Sequence, residues 1–442
     1  MRRAFLVAFF VAPLFACGSS LDEPAPVTDG GTPDAVVAKD AQPDTSADAA
    51  PPVPIPIKHV VVVVKENHTF DNYFGSFPNA EGALKAKTTS GMITPPHAPD
   101  RTPRDLCHQH SCALTDWNGG AMDGWDNVAG TSTNGDNLAY AQYQESDIPN
   151  YWQYARHFTL GDHFFANVLG PSFPGHTFVL AAQSGWAYGN PNTQLTHPYW
   201  GCDQAQGTLV SIEDESTCSE KQVFPCFKIP SIPDVLPAGV DWKFYGSNFY
   251  LLPEVWSMFD AIDGIRNGPG WSHIVKEADF DAAIDAKTLP AVTFLVDQDL
   301  ADEHPNVGGV CDGENWTVGH LNKIMQSDYW KDTVILFTMD DFGGWYDHVP
   351  PPRQYGCDKT KPYGLGFRLP LIVISPYAKE GYILKDVAEQ ASIPRFIEKV
   401  FGATKTLSDL DPAAQDGQAN DLMNAFDFTQ KPLPPLVLQK RT

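Results

Sequence analysis

Short apolar runs alternate with amphipathic stretches along the chain after residue 57. The apolar runs have the length and the β-branched content of buried strands: HVVVVV (59–64), AVTFLV (291–296), TVILFTM (333–339), LPLIVIS (369–375) and, more weakly, FTLGDHFF (158–165). Helical stretches lie between them, at 177–183, 317–326 and 393–401. This alternation predicts an α/β domain with a mainly parallel central sheet flanked by helices.

Polar side chains follow three of these runs at the point where each run ends. They are Glu66 and Asn67 after the first run, Asp297, Asp299, Asp302, Glu303 and His304 after AVTFLV, and Asp340 and Asp341 after TVILFTM. In open α/β sheets, ligands bind in the crevice beyond the carboxyl ends of the strands. The pattern therefore predicts one crevice with many hard oxygen donors, in which the valine strand holds up Glu66 and Asn67.

Each of these carboxylates also has a simpler structural explanation. An acidic side chain after a strand often caps the next helix or turn. Their joint occurrence weighs against that explanation, because adjacent carboxylates repel each other unless a cation or a long basic side chain lies between them. A site built from oxygen donors, without Cys or His, favours Ca²⁺, Mg²⁺ or Mn²⁺ over structural zinc.

The segment FANVLGPSFPGHTFVLAAQSG (165–185) stops an apolar run at Gly170-Pro171 and begins a helical pattern at Ser172. Ser is a favoured N-cap residue and Pro174 is tolerated in a first turn, so Ser172 could simply cap a helix. The same position also suits catalysis, because a helix N-terminus attracts phosphate and a hydroxyl beside a divalent cation can attack phosphorus. The spacing alone leaves both explanations open.

Three loops carry histidines near the acidic motifs. His108 and His110 lie in DLCHQHSCALTDWNGGAMDGW, His304 in DEHP and His348 in WYDHVPPP. A single histidine is more often a solvated or core residue than a catalyst. Here the three loops accompany the acidic motifs, and a protonated histidine can neutralise phosphate oxygens or protonate a leaving alkoxide.

The N-terminal stretch MRRAFLVAFFVAPLFAC has two arginines, an apolar run too short to span a membrane, and then Cys17. It resembles the signal peptide of bacterial lipoproteins, so we predict a signal peptide over 1–16 and lipidation of Cys17; a plain secretory signal is the alternative. Residues 17–56 predict a disordered tether, because Gly18–Pro56 holds eight prolines, seven acidic residues and one Lys. The expected location is the bacterial cell envelope (outer membrane or periplasm), with membrane contact through the lipid anchor, or outside the cell.

The net charge and the cysteine content bear on the class of partner and on the number of disulfides. The 442 residues carry 54 acidic and 30 basic side chains, a net charge of -24, which disfavours a nucleic-acid partner. With Cys17 lipidated, seven cysteines remain, enough for at most three disulfides and one free thiol. Spacing suggests local pairs such as Cys107 with Cys112 and leaves the connectivity open. We expect the catalytic domain at 57–405 and a C-terminal extension at 406–442, packed on the domain or trailing it.

Six segments together resemble the bacterial phosphoesterase family that contains the non-zinc phospholipases C and related acid phosphatases, within the alkaline phosphatase-like superfamily. They are KENHTFDNYFG (65–75), WNGGAMDGW (117–125), GPSFPGH (170–176), DEHP (302–305), WKDTVILFTMDDFGGWYDHVPPP (330–352) and LGFRLPLIVISPYAK (365–379). They follow the family's order across residues 57 to 402. The resemblance implies an alkaline phosphatase-like fold with the active site at the C-terminal ends of the strands.

The resemblance also implies roles for single residues. The ligands of one divalent metal ion would be Glu66, Asn67, Asp340 and Asp341. Ser172 would form a phosphoserine intermediate and also touch the metal. The histidines that contact phosphate or transfer protons would be His108 and His304, with His110 and His348 as second choices.

Two departures from the family pattern bear on the substrate. The phospholipases C usually carry Thr at the position of Ser172, where the acid phosphatases carry Ser. They also often have additional C-terminal β domains, whereas about forty residues follow Phe401. Both departures favour a broad acid phosphatase-like phosphomonoesterase.

We therefore expect a metal-dependent phosphoric ester hydrolase whose substrate is a phosphate ester or a phospholipid. One alternative is a phospholipase C that cleaves head groups from phospholipids. Another is a non-catalytic surface lipoprotein that keeps the scaffold and the metal site. A secreted serine hydrolase fits less well, because the sequence has no GxSxG elbow.

Overall fold

The computed structural model describes residues 54–192, 200–248, 255–298, 300–353, 356 and 363–441. The predicted signal peptide (1–16), Cys17 and the tether up to residue 53 lie outside these described residues, and so do Asp299 and Cys357. In the described part of the chain, no helix is both long enough and apolar enough to cross a membrane.

The described residues form fourteen strands and ten α-helices. The strands are β1 (His59–Lys65), β2 (Ala86–Thr88), β3 (Gly91–Ile93), β4 (Thr159–Gly161), β5 (Phe164–Phe165), β6 (Val210–Asp214), β7 (Ser219–Val223), β8 (Trp242–Gly246), β9 (Ile274–Lys276), β10 (Val292–Val296), β11 (Thr333–Met339), β12 (Leu371–Ile374), β13 (Tyr382–Leu384) and β14 (Ala388–Glu389). The helices are α1 (Phe70–Phe74), α2 (His110–Trp117), α3 (Pro149–His157), α4 (Ser172–Ala181), α5 (Ile232–Val235), α6 (Asp263–Arg266), α7 (Asp279–Asp285), α8 (Val310–Met325), α9 (Ser392–Phe401) and α10 (Leu407–Leu410). Short 3-10 helices cover Asn118–Gly120, Trp125–Asn127, Leu138–Tyr140, Met258–Ala261, Pro269–His273, Trp330–Asp332 and Met423–Ala425.

An eight-stranded sheet forms the centre of the fold, in the order β13-β4-β12-β11-β1-β10-β8-β9. β1 pairs in parallel with β10 on one side and with β11 on the other, so that Val62 lies opposite both Phe294 and Leu336. β8 and β9 continue the parallel arrangement, while β12 is antiparallel to β11 and to β4. The predicted α/β class with a mainly parallel central sheet is confirmed.

The core lies around β1. The side chains of Val60 to Val63 have no exposed surface, and β10 and β11 are buried along their whole length. A central strand that is covered on both faces needs an unbroken apolar run instead of alternation, which explains the five valines. Burial of each such side chain contributes about 1.5–3 kcal/mol.

The predicted strands and helices correspond to observed elements. The four main runs form β1, β10, β11 and β12, although β12 runs antiparallel, and the weaker candidate forms β4 and β5. The predicted helical stretches lie within or largely overlap α4, α8 and α9. The pattern missed β8, because its sequence, WKFYG, contains Lys243 and ends in a glycine.

The C-terminal residues and two disulfides tie surface segments to this domain. Asn322 Nδ2 donates to Leu438 O at 2.8 Å, and Trp330 Nε1 donates to Leu433 O at 3.2 Å, so the C-terminal residues lie against the domain. The predicted Cys107–Cys112 pair forms, and Cys202 pairs with Cys226. Cys218 is also disulfide-bonded, and Cys311 is a free thiol.

A buried ion network links α1, the loop after β11 and the segment before β12. Arg368 has no exposed surface; its Nε donates to Asp347 Oδ1 at 2.9 Å and its Nη2 donates to Asp71 Oδ1 at 3.0 Å. His348 Nδ1 lies 2.7 Å from Asp71 Oδ2. The Arg368 guanidinium thus pairs with two buried carboxylates. We therefore expect it to stabilise the conformation of the loop after β11.

We expect Arg368→Met to lower the free energy of unfolding by about 3–5 kcal/mol, because it leaves the buried carboxylate of Asp347 without a cation and Asp71 with His348 alone. The matched control is Lys287→Met, which removes an ion pair of similar length (2.9 Å to Asp328) between two largely exposed side chains and should lower the free energy of unfolding much less. Urea unfolding followed by circular dichroism measures both. Equal losses in the two variants would contradict a structural role for the network.

Candidate active site

Three neighbouring parallel strands end at one edge of the sheet and bring their following residues together. Glu66 and Asn67 follow β1, Gln298 lies beyond β10, and Asp340 and Asp341 follow β11. A cavity of about 360 Å³ opens at this edge. Its wall includes Glu66, Asp105, His108, Ser172, Trp200, Gln298, Asp302 and His304. The predicted meeting of the three strand ends is observed.

The carboxylates behind the cavity are buried and close together. Asn67 N donates to Asp340 Oδ1 at 2.8 Å, and ligand atoms of Glu66, His176 and Asp340 lie within 4.8 Å of one another. Burial raises the pKa of Asp340, and the charge of Glu66 adds to it, giving a pKa of about 7. Burial and then the charge of Asp340 raise the pKa of Asp341 well above its usual range. A positive charge placed between these carboxylates would therefore stabilise their ionised forms.

Ser172 is the first residue of α4 and lies directly against this cluster. The N-cap is Pro171, not Ser172, so the capping explanation of Ser172 is wrong. Its Oγ donates to Asp341 Oδ2 at 3.0 Å, and the residue is 2% exposed. The close approach of α4 to the end of β11 needs a glycine at position 175, because a Cβ on Gly175 would collide with the carbonyl of Asp340. The sequence GPSFPGH thus places a hydroxyl and a helix N-terminus beside the strand ends.

His176 belongs to the site although its sequence context suggested no role for it. Its Nε2 lies 2.9 Å from Glu66 Oε1 and 3.7 Å from Asp340 Oδ2. Burial would raise the pKa of Glu66, but the hydrogen bond and charge of His176 outweigh burial and lower it to about 2. Burial would lower the pKa of His176, but the hydrogen bond to Glu66 raises it. The signal that could have found His176 is its spacing of four from Ser172, which puts both on one helix face.

His108 and His304 stand together on the cavity wall. Their rings are 5.6 Å apart, edge to face. His108 Nδ1 pairs with Leu106 O at 2.8 Å, and its Nε2 lies 3.3 Å from Asn67 Nδ2. Burial lowers the pKa of His108, which agrees with a neutral ring that donates through Nδ1 and accepts through Nε2. The amide oxygen of Asn67 is then directed away from His108.

The two second-choice histidines lie elsewhere. His110 begins α2; its Nδ1 pairs with Leu169 O and its ring lies 4.6 Å from that of Tyr188, on a neighbouring cavity. His348 pairs with Asp71 in the ion network described above. Neither lines the cavity that Ser172 faces.

The residues present fit a hard divalent cation. Asn67 Oδ1 and Asp340 Oδ2 are buried and have no hydrogen-bond partner in the described part of the chain. Buried polar oxygens normally have a partner, so two such atoms beside Glu66 and Asp341 suit the coordination of a cation. Carboxylate and amide oxygens with a serine hydroxyl are the donor type that Ca²⁺, Mg²⁺ and Mn²⁺ prefer.

Comparison with known proteins identifies related chains. A family model described as the Phosphoesterase family matches residues 57–404. The chain is 25% identical over 436 residues to hemolytic phospholipase C of Pseudomonas aeruginosa, which covers 84% of this chain and 56% of that protein. It is 26% identical over 429 residues to phospholipase C A of Mycobacterium tuberculosis, which covers 85% of this chain and 78% of that protein. The chain thus spans little more than half the length of the Pseudomonas relative.

Among solved structures, the chain is similar to a protein in the alkaline phosphatase superfamily from Vibrio parahaemolyticus. The TM-score is 0.38 and the identity 12%, over 83% of this chain and 75% of that chain. At that TM-score the similarity carries no argument about the site.

We expect Asp340→Asn to weaken binding of Mn²⁺ to chelator-treated protein by at least about 10-fold, because the variant loses a charged ligand. In the unaltered protein, binding should weaken as the pH falls below about 7, since the raised pKa of Asp340 lets a proton compete with the cation there. Titration calorimetry at pH 6 and pH 8 measures both effects. The control is Glu398→Gln, which removes another buried carboxyl whose pKa burial raises to about 7 and should leave the affinity unchanged. Full affinity in Asp340→Asn would show that Asp340 is not a ligand.

Proposed function

The chain belongs to the Phosphoesterase family, a class of hydrolases that act on phosphoester bonds, and we propose that it cleaves such bonds through a phosphoserine formed on Ser172. The observation that carries the proposal is the 3.0 Å hydrogen bond from Ser172 Oγ to Asp341 Oδ2 at the carboxyl ends of three parallel strands. The family resemblance found in the sequence is confirmed. The roles of single residues remain proposals, supported by this geometry.

The arrangement suits in-line attack on phosphorus. The helix N-terminus at Ser172 favours a phosphate group beside the hydroxyl, and Asp341 orients Oγ by accepting its hydrogen bond. Oγ attacks phosphorus as its proton passes to Asp341 Oδ2, and the bond from phosphorus to the alcohol oxygen breaks. His304, on the cavity wall, gives the leaving oxygen its proton, and the neutral ring of His108 holds the side chain of Asn67. Water then gives a proton to His304 and attacks the phosphoserine, which releases the phosphate product, and Oγ takes its proton back from Asp341 to restore the hydroxyl.

The proposed metal ligands are Glu66, Asn67, Asp340, Asp341 and Ser172 Oγ, and one of Ca²⁺, Mg²⁺ or Mn²⁺ is the proposed ion. When bound there, a divalent cation neutralises phosphoryl oxygens and lowers the pKa of a coordinated hydroxyl. His176 and Gln298 both hydrogen-bond to Glu66 Oε1, so they hold this carboxylate ionised and in a fixed orientation.

Phospholipids are the substrate class that we propose first. The two relatives named above are phospholipases C, and this moves the preference away from the phosphomonoesterase that the sequence suggested first. A phosphomonoesterase is the second candidate, supported by Ser172 at a position where the phospholipases C of the family usually carry Thr. The serine and its neighbours can attack a monoester or a diester alike, so the walls of the cavity decide the preference.

We expect Ser172→Ala to lower the turnover of p-nitrophenyl phosphorylcholine and p-nitrophenyl phosphate by at least about 1,000-fold, because the nucleophile is lost. Ser231→Ala is the control: it removes a buried serine at the start of α5, outside the cavity, and should keep activity while it costs about 1 kcal/mol of stability. A higher kcat/KM for the choline diester supports a phospholipase C, and a higher value for the monoester supports a phosphomonoesterase. If neither ester is cleaved with Ca²⁺, Mg²⁺ or Mn²⁺, the non-catalytic lipoprotein is the better description.

We also propose that the protein is exported and anchored through lipid on Cys17. The support is the sequence MRRAFLVAFFVAPLFAC followed by the Pro- and Asp-rich stretch to residue 56. A tether of this composition would let the catalytic domain stand off the membrane while phospholipid stays within reach.

Cys17→Ser is expected to abolish incorporation of radiolabelled palmitate and to move the protein from the membrane fraction to the soluble fraction of a bacterial host. The reason is that a thioether-linked diacylglycerol needs the cysteine sulfur. Labelling of the Cys17→Ser variant at the level of the unaltered protein would exclude the anchor, and its absence from both proteins would favour plain secretion.

A further inference from the structure

Glu303 lies between two residues of the cavity wall, yet its own side chain lies in the core. Asp302 and His304 line the cavity, whereas Glu303 is 1% exposed. Tyr151 Oη donates to Glu303 Oε1 at 2.5 Å, and Tyr73 Oη donates to Oε2. These donors come from α3 and α1, two elements that lie far away in sequence.

The same carboxylate pairs with a buried cation. Lys65 Nζ lies 3.4 Å from Glu303 Oε1, neither side chain has exposed surface, and Lys65 also donates to the carbonyl of Ala301. Lys65 is the last residue of β1, directly before Glu66. A buried carboxylate with a cation and two hydroxyl donors is well satisfied, and its geometry is correspondingly rigid.

The backbone at Glu303 needs such support. Its φ is +76°, a left-handed conformation that disfavours a side chain and persists only where the surroundings enforce it. Its carbonyl lies 3.0 Å from His68 Nε2. α8 makes room for the side chain through Gly313, because a Cβ there would collide with the side chain of Glu303.

The side-chain and backbone N–H hydrogen bonds of His304 itself are local, and its ring also packs on that of His108. Its Nδ1 lies 2.9 Å from the carbonyl of Pro305, and its backbone N donates to Asp302 Oδ1 at 2.8 Å. Nearby long-range hydrogen bonds of this turn join Asp302 O to Glu66 N and Asn306 N to Thr102 Oγ1. The side chain that ties the centre of the turn to the core is therefore that of Glu303.

We propose that Glu303 is a positioning residue for His304: its carboxylate, held by Lys65, Tyr73 and Tyr151, fixes the turn that presents the imidazole to the cavity. This inference rests on the proposed function, in which His304 serves the phosphate or the leaving oxygen. A role in stability alone would leave the imidazole unmoved in any variant that still folds.

The kinetic test combines Glu303→Gln with His304→Ala. We expect Glu303→Gln to lower kcat/KM for p-nitrophenyl phosphorylcholine on the order of 100-fold, the scale of a misplaced catalytic group. In the His304→Ala background the same change should cost less than about 3-fold, because the group that it positions is already gone. If the fold losses of kcat/KM from the two single substitutions multiply in the double variant, the two residues act independently and the proposal is wrong.

A second variant guards against misfolding of Glu303→Gln, which leaves Lys65 without its charge partner. Tyr73→Phe combined with Tyr151→Phe keeps the ion pair and removes only the two hydroxyl donors, and it should show the same non-additivity with a smaller loss. Glu398→Gln, which removes a buried carboxyl of α9 that accepts from Leu407 N at 2.7 Å, is the control and should retain full activity.

An NMR measurement separates this inference from the proposed function. In protein labelled at histidine, the Cε1–H signal of His304 is identified by its loss in His304→Ala. We expect that signal to shift or broaden in Glu303→Gln and in the double tyrosine variant, and to stay in place in Glu398→Gln. An unmoved signal in both altered proteins would overturn the positioning role even where activity falls. If the unaltered protein cleaves no ester, the proposed function fails, and the NMR result still decides the role of Glu303.

Discussion

Repulsion among three buried carboxylates is the constraint around which the site is built. Glu66, Asp340 and Asp341 converge because β1 and β11 are parallel neighbours that end at the same edge of the sheet. His176 offsets the charge of Glu66, while burial and the charges of their neighbours raise the pKa values of both aspartates. In the proposed function, a cation and the Ser172 hydroxyl would relieve what remains, so the same arrangement that costs stability would also prepare the site for phosphate chemistry.

Buried ion pairs behind the cavity neutralise other carboxylates, in or next to the loops that carry the site residues. Arg368 pairs with Asp71 of α1 and with Asp347 in the loop after β11, and Lys65 pairs with Glu303 in the loop after β10. Such pairs tolerate the loss of one partner poorly, since the remaining charge stays buried. They add little net stability compared with an apolar core, but they restrict each loop to one conformation.

Chemistry and substrate choice are determined in different parts of the molecule. In the proposed reaction, the hydrogen bond from Ser172 to Asp341 and the start of α4 would suit any phosphoryl group, because in-line attack requires only the phosphorus and its oxygens. In the proposed reaction, the part of the cavity wall that includes Trp200 would meet the rest of the substrate. Family membership therefore says more about the reaction than about the alcohol that leaves. The relatives favour a phospholipid substrate, whereas Ser172 favours a phosphomonoester.

The sequence by itself determined four main strands of the central sheet, its mainly parallel character and the residues at the strand ends, because a run such as HVVVVV suits a strand covered on both faces. It also placed Ser172 at the start of a helix. Only the tertiary structure decided which histidines reach the site: His176 contacts Glu66 across 110 residues of sequence, whereas His110 and His348 face other partners. Local patterns depend on neighbouring residues and can be read along the chain, but the direction of a loop side chain depends on packing between elements that are distant in sequence.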